Sequence, residues 1–513
     1  LCGDGDLQEP VALGACALAG HWKLGRLVAY YDRNQVQISG STDRVDSTVY
    51  EQLFKSIGWQ VLEVDGHSEG RIKAAIQHAH QATEQPTLII GNTTMAHGTA
   101  TVEGLAATHG APLAPEEIAA TKEKLGLLPD QYFQFSDAAF AGMRTRHETL
   151  RTKVGRWQTV INKKREDTEF DALWRNYFGE LASDDLPWPS FEPGSKIATR
   201  KAFGQVLDAL APALPVLVGG SADLEPSNNT ANFAKQYGDF NCDNRGGRSL
   251  AYGVREFPMG AINNGIALHG GLIPFGATFL VFTDYEKPAL RLRALQKLHA
   301  IGIYTHDSIY VGEDGPTHQP VEQIMSLRLI PDMLVFRPAD ATETVASMRA
   351  ILTRTDRPSA LVLSRQSLPV LQSDMQKRAV VGVQQGAYVI KEAEQEAQVT
   401  IFAAGSEVSL ALEVCDLLTD TAIRVISAPC WELFFEQPVD YQESILDSGN
   451  ALAVSIEAGA TAGWERFTGN QGLNIGIDCF GASAPGDTVA RQLGLDPAAI
   501  SARITQILKE RET

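Results

Sequence analysis

Cysteine, basic charge and long apolar runs are what this chain has least of. Six cysteines (Cys2, Cys16, Cys242, Cys415, Cys430, Cys479) are scattered through 513 residues with no C-x-x-C pair. That excludes a disulfide framework or a zinc ribbon and suits free buried thiols in a reducing compartment. Lys and Arg number 44 against 62 Asp and Glu, a formal net charge of −18. Nucleic acid and anionic membrane are thereby argued against as partners, and any phosphate site must be a local basic focus. No uninterrupted apolar run approaches the ~18 residues of a membrane span. Low-complexity tracts and repeats of short period are also missing. No targeting peptide is visible, but the chain opens on Leu1 rather than Met. The expected location is the cytoplasm, with organellar targeting left open by that start.

What is present is ordinary globular composition, 44% apolar and 21% charged, in a chain long enough for about three domains. Residues 1–150 alternate short apolar strands (27–31, 61–64, 87–90) with helical patterns (11–21, 71–81), which means parallel βαβ units. Residues 151–195 turn helical and charged and end in Leu186-Pro187-Trp188-Pro189-Ser190-Phe191-Glu192-Pro193-Gly194, a linker by its proline density. A second α/β block covers 196–375, with strands near 215–219, 301–304, 334–337 and 360–363. A third covers 380–513, with strands at 399–403, 424–427 and 451–455. Three successive α/β domains with mostly parallel sheets are the predicted architecture.

The richest segment is Thr305-His306-Asp307-Ser308-Ile309-Tyr310-Val311-Gly312-Glu313-Asp314-Gly315-Pro316-Thr317-His318-Gln319-Pro320. It puts two histidines and three carboxylates just after an apolar strand, where open α/β sheets place their ligands. A second pattern is Gly3-Asp4-Gly5 with Asn34 thirty positions beyond Asp4. A helix from near Pro10 and the strand 27–31 lie between, so Asp4 and Asn34 reach the same edge of a parallel sheet. Oxygen ligands there suit a hard cation, and glycine lets backbone N–H groups approach a diphosphate at a helix start. Proline suits the first helical turn. Alone, G-D-G is a common turn. Gly253-Val254-Arg255-Glu256-Phe257, Ile197-Ala198-Thr199-Arg200-Lys201, Gly220-Ser221-Ala222-Asp223-Leu224-Glu225-Pro226-Ser227-Asn228 and Leu363-Ser364-Arg365-Gln366 complete the set. Phe279, Phe282 and Tyr285 have the spacing of helical core packing.

Taken in order, these segments resemble transketolase, the thiamine-diphosphate enzyme that moves two-carbon ketol units between sugar phosphates. The resemblance implies a thiamine-diphosphate-binding fold: a diphosphate-binding domain (1–150), a pyrimidine-binding domain (196–375) and a C-terminal domain (380–513). It puts Mg2+, with Ca2+ or Mn2+ as alternatives, on Asp4, Asn34 and the carbonyl of Val36. Gly5 and His109 lie at the cofactor diphosphate, His109 also near the donor, and Asp223 lies near the cofactor. Glu256 is the acid on the pyrimidine ring, which Phe279, Phe282 and Tyr285 enclose. Such an acid must be buried with a raised pKa. Arg200, Ser227, His306 and Arg365 hold the substrate phosphate, while His318 and Asp314 contact the donor ketose. Glu256, His318, His109 and His306 are the candidate catalytic groups, and His67 reads as structural.

The implied reaction is ylid attack on a ketose phosphate, cleavage to a dihydroxyethyl adduct and an aldose, then addition to an acceptor aldose phosphate. The implied assembly is a homodimer with active sites at its interface, the implied setting the pentose phosphate pathway. Pro10, Pro258 and Pro288 depart from the family's pattern. So does the start: the family carries a substantial stretch before G-D-G, so the first domain is expected to be incomplete at its front. That segment would be lost from a fragment, supplied by a separate N-terminal chain, or absent from a non-catalytic homologue. Within enzymes the nearest alternative is a dihydroxyacetone-synthase-like ketol transferase.

Overall fold

Strands such as Ile301–Thr305 and Val399–Ala403 are buried at every position, so their sequences run apolar without alternation, as parallel strands covered on both faces do. The computed structural model describes residues 1–179, 183–447 and 449–512. Part of the expected linker, residues 180–182, lies outside them. The chain divides into two units, residues 1–175 with 241–245, and residues 176–240 with 246–513.

The first unit holds a parallel four-stranded sheet in the order Cys2–Gly3, Val28–Arg33, Thr87–Asn92, Gln60–Asp65. Leu7, Tyr31, Phe54, Trp59, Leu88 and Ile90 form its core. Pro10 opens the helix Pro10–His21, where its missing N–H costs nothing. Gly20 on that helix must be glycine: a Cβ there would lie 1.8 Å from the carbonyl oxygen of Ile57. The helix Asp137–Lys164 begins inside the block expected to close near 150, because Ser136 caps it by accepting from the N–H of Ala139.

The second unit holds two five-stranded sheets. One is parallel throughout, in the order Leu334–Phe336, Ser359–Leu363, Ile301–Thr305, Ile273–Phe279, Leu217–Ser221. The other runs Tyr388–Lys391, Ile423–Ser427, Val399–Ala403, Leu452–Ile456, Leu473–Ile475, with only the first strand antiparallel. A single hydrophobic cluster, including Ile303, Leu334 and Leu361 from one sheet and Ile401, Val425 and Val454 from the other, joins them. Pro258 sits in the first turn of the helix Glu256–His269, where it is tolerated. Pro288 lies inside the helix Thr283–Leu295 and leaves the carbonyl of Asp284 without its helical donor. Among the described residues, no helix is long and apolar enough to cross a membrane.

Candidate active site

In the first unit, Gly3 pairs with Asp32 across parallel neighbours, so Asp4 and Asn34 emerge together from the carboxyl edge of the sheet. Asp4 is buried and starts a single turn and a half of helix, Asp4–Gln8, that contains Gly5. Its carboxylate accepts from the Tyr31 hydroxyl at 2.6 Å and from the Gln35 N–H at 3.1 Å. The Asn34 amide oxygen accepts from the Val36 N–H at 3.1 Å, folding Asn34 and Val36 into one tight loop, with Gln35 in the left-handed region between them. One carboxylate, one amide oxygen and one backbone carbonyl form an all-oxygen donor set. Such oxygen donors would suit a hard divalent cation such as Mg2+. His109 keeps a buried Nδ1 with no hydrogen-bond partner among the described residues, a polar atom that a ligand would satisfy. His67 accepts from the Thr94 N–H at 2.8 Å and stacks on His97 at 3.8 Å.

In the second unit, the parallel sheet's carboxyl edge gathers most of the remaining candidates. Reciprocal hydrogen bonds between Thr199 and Ser364, 3.1 and 2.7 Å, lock the start of the helix Thr199–Leu210 to the end of the strand Ser359–Leu363. Arg200 and Arg365 follow Thr199 and Ser364 directly in the chain. Arg200 donates to the main-chain carbonyl of Ser227 at 2.8 Å, while its Nε is buried and unpartnered. Burial and the charge of Arg365 press the Arg200 guanidinium below its usual value. Both side-chain polar atoms of the neighbouring Gln366 are buried without partners. Like charges brought together with unsatisfied donors around them describe a receptor for an anion.

His306, 4% exposed, stands between these arginines and an aromatic wall. Its ring stacks on Phe279 at 3.7 Å, and Phe279 and Phe282 lie nearly coplanar in orientation, 5° apart, with centroids 6.0 Å apart. Tyr285 continues the row at 5.9 Å from Phe282, and His318 meets Phe282 edge-on at 5.5 Å. Burial, then the charges of Arg200, Arg365 and His318, push the His306 pKa down to about 3. Behind it runs a buried chain: Ser221 donates to Asn228 at 2.6 Å, and Asn228 donates to the Thr305 hydroxyl at 2.8 Å. That hydroxyl, 2.8 Å from His306 Nδ1, has its own proton left to give. Neutral His306 therefore presents Nε2–H outward.

Glu256 is buried at the first position of its helix, and burial raises its pKa, the condition an acid on the pyrimidine ring must meet. Asp223 is exposed and left-handed, two residues past the strand Leu217–Ser221. Asp314 is exposed in the loop that follows Ile301–Thr305. No side-chain bond joins either aspartate to the cluster among the described residues.

Sequence reasoning missed Glu286 and Arg293. They are 3.1 Å apart and about 1% exposed, on the buried face of Thr283–Leu295, with the Tyr304 hydroxyl donating to Glu286 at 2.9 Å. Glu286 lies against Gly260, one turn along from Glu256: a Cβ on Gly260 would meet its carboxylate at 2.7 Å. The available signal was two opposite charges on the apolar stripe of one helix, seven residues apart.

Three family models cover nearly all of the chain. They are transketolase, thiamine diphosphate binding domain (residues 1–180); transketolase, pyrimidine binding domain (195–370); and transketolase-like C-terminal domain (386–496). The transketolase of Halalkalibacterium halodurans is 42% identical over 100% of this chain and 77% of its own length. The solved transketolase of Leishmania mexicana is 37% identical with a TM-score of 0.93, covering 99% of this chain and 75% of that one. A Pichia stipitis transketolase solved in complex with sedoheptulose 7-phosphate is 34% identical, with the same TM-score, 99% of this chain and 76% of that one. The chain spans about three quarters of the length of these relatives, and the comparisons give no support for a separate N-terminal chain. The chain belongs to the transketolase family, transferases whose cofactors are thiamine diphosphate and a divalent metal ion.

Proposed function

We propose that this chain transfers a two-carbon ketol unit from a ketose phosphate to an aldose phosphate. The observation that carries the substrate class is the pair Arg200 and Arg365, without an ion-pair partner among the described residues, beside a neutral His306, a cationic focus in a chain of net charge −18. Two guanidinium forks recognise a phosphate dianion, and His306 adds a neutral donor to it. Ser227 joins this group through its contact with Arg200. His318 and Asp314 face the donor hydroxyls, where an imidazole holds or moves a proton.

When bound, thiamine diphosphate supplies the electron sink for breaking the ketose carbon–carbon bond. In this reading Asp4, Asn34 and the Val36 carbonyl hold the cation, Gly5 and His109 meet the diphosphate, and Asp223 lies near the cofactor. Phe279, Phe282 and Tyr285 wall the pyrimidine and exclude water from it. Glu256, whose pKa burial raises, gives a hydrogen bond to the pyrimidine nitrogen. The three α/β blocks with the boundaries expected above, a homodimer with two active sites at its interface, and a place in the cytoplasm complete the reading. The six free cysteines are in keeping with that location.

The test is a ketol-transfer assay on the purified chain with thiamine diphosphate and Mg2+, using phosphorylated and unphosphorylated ketose donors. Arg200→Ala and Arg365→Ala are each expected to raise KM for the phosphorylated donor about tenfold or more, a charge-assisted hydrogen bond lost, and to leave the unphosphorylated donor nearly unaffected. Equal effects on both donors overturn the assignment. An enzyme indifferent to both substitutions points instead to formaldehyde as acceptor.

A further inference from the structure

The loop bearing His306 and His318 is held from the far side by residues outside any substrate role. Asp307 follows His306 directly and is buried against Arg337, whose Nη2 and Nε donate to its carboxylate at 2.9 and 3.2 Å. Arg337 Nη1 donates at 2.5 Å to Glu407 and at 3.3 Å to Glu457, both from the last sheet's half of the unit. Glu457 is in turn fixed by a two-pronged bond from Arg328, 2.7 and 2.9 Å, and by the Trp464 indole at 2.9 Å. All five charged side chains are at most 3% exposed. The Arg337 main chain is pinned as well, its N–H to Pro429 and its carbonyl to Gly405. Gly405 is left-handed, and a Cβ there would sit 2.7 Å from the guanidinium.

A second grip lies further along the same loop. Gln319 donates to Gly312 at 2.8 Å and to Ala482 at 3.0 Å, and the Ser483 hydroxyl donates to the carbonyl of Glu313. Gly486 packs so closely that a Cβ would meet the Tyr310 backbone at 2.9 Å.

We infer that the last sheet's domain positions the substrate loop: Glu407 and Glu457 acting through Arg337 on Asp307, and the turn 482–486 acting directly, hold residues 306–319 in the conformation the phosphate site needs. The inference rests on the proposed role of His306 in binding phosphate. His306 has φ +62°, a left-handed conformation that a residue other than glycine keeps only when its surroundings over-determine it. The strand Ile301–Thr305 fixes one flank, and Asp307 fixes the other. A buried cluster of three carboxylates and two guanidiniums is a poor way to gain stability, since apolar packing does as well without desolvating charge. Its directional bonds do fix one geometry.

Two variants test this in the full chain loaded with thiamine diphosphate and Mg2+. Glu407→Gln keeps the shape and removes the charge that orients Arg337. Gly486→Ala, at an outer turn, nudges the Tyr310 backbone without opening the buried cluster. Hydrogen exchange read by mass spectrometry should show faster exchange across 306–319 in both. Steady-state kinetics should show KM for a phosphorylated ketose raised about tenfold, with kcat changed little, because sub-ångström misplacement acts on binding geometry. Unchanged exchange overturns the inference whatever the activity. So does faster exchange with KM unmoved, or a fall in kcat alone, which is the mark of lost folded protein. A parent chain without ketol transfer overturns the functional reading instead, and exchange still decides whether the last domain holds the loop. Should Glu407→Gln fail to fold, Gly486→Ala decides.

Discussion

Glu343 makes the seam between the two sheets of the second unit sensitive to pH in a calculable way. It is fully buried on the helix Ala341–Thr353 and accepts from the Ala339 N–H at 2.7 Å, the Tyr388 hydroxyl at 2.7 Å and the Ser427 hydroxyl at 2.6 Å. Burial outweighs those three bonds and raises its pKa from 4.5 to about 7. A carboxyl with a raised native pKa contributes stability that is fully present below the unfolded value and lost as pH rises through the folded one. Between pH 4.5 and 7 that loss is about 3 kcal/mol. For a unit of roughly 330 residues the unfolding entropy converts this to about 4 °C in Tm. Glu343→Gln does not titrate in this window, and any fixed cost of the amide is the same at every pH. In matched thermal melts from pH 4.5 to 8, the variant should therefore gain about 4 °C on the parent as pH rises. Parallel curves would refute the argument, showing either that the carboxyl is not desolvated or that it is ionised throughout.

Three other outcomes follow from the same reasoning. The His306 ring signal, followed by NMR with labelled histidine, should stay at its neutral position from pH 5 to 8, and Arg200→Ala should move its titration upward by removing a neighbouring charge; a parent midpoint near 6.5 would contradict the neutral assignment. Glu256→Gln should cost about 10²-fold or more in ketol transfer while calorimetric affinity for thiamine diphosphate with Mg2+ stays within a few-fold, so parallel losses would reduce Glu256 to a binding group. Glu286→Leu strands a buried guanidinium and should cost about 3–5 kcal/mol in denaturant unfolding. Adding Arg293→Met should recover most of that, and a double variant no better than the single would deny the pairing.

Most of the strands and the groups clustered at their ends were legible because both depend on local order in the sequence. A strand buried on both faces must be a short apolar run, so Val399–Ala403 could be bounded to the residue. A candidate group at the sheet's carboxyl edge must follow such a run within a few positions, as His306 and Arg365 do. The charged seam of the second unit follows the same rule, yet of its members only Asp307 was singled out, and not for this role. Arg337 comes directly after Leu334–Phe336, Glu457 directly after Leu452–Ile456, Asp307 two residues after Ile301–Thr305, and Glu407 four after Val399–Ala403. One at a time, each is indistinguishable from a solvated charge closing a strand; Glu407 in particular reads as ordinary helix-start chemistry. Only their convergence gives them meaning, and pairing across 120 residues, as between Arg337 and Glu457, leaves no periodicity in a single sequence. The physical rule that would have exposed them is a matter of cost. The carboxyl ends of buried strands open onto the edge where an α/β fold binds its ligands, and charges buried there are costly, so opposite charges recurring there across two sheets must either neutralise one another or bind something. Among the described residues Arg200 and Arg365 have no such counter-charge, whereas Arg337 has three. On that difference the first pair is assigned to a substrate phosphate and the second set to holding the loop that meets it.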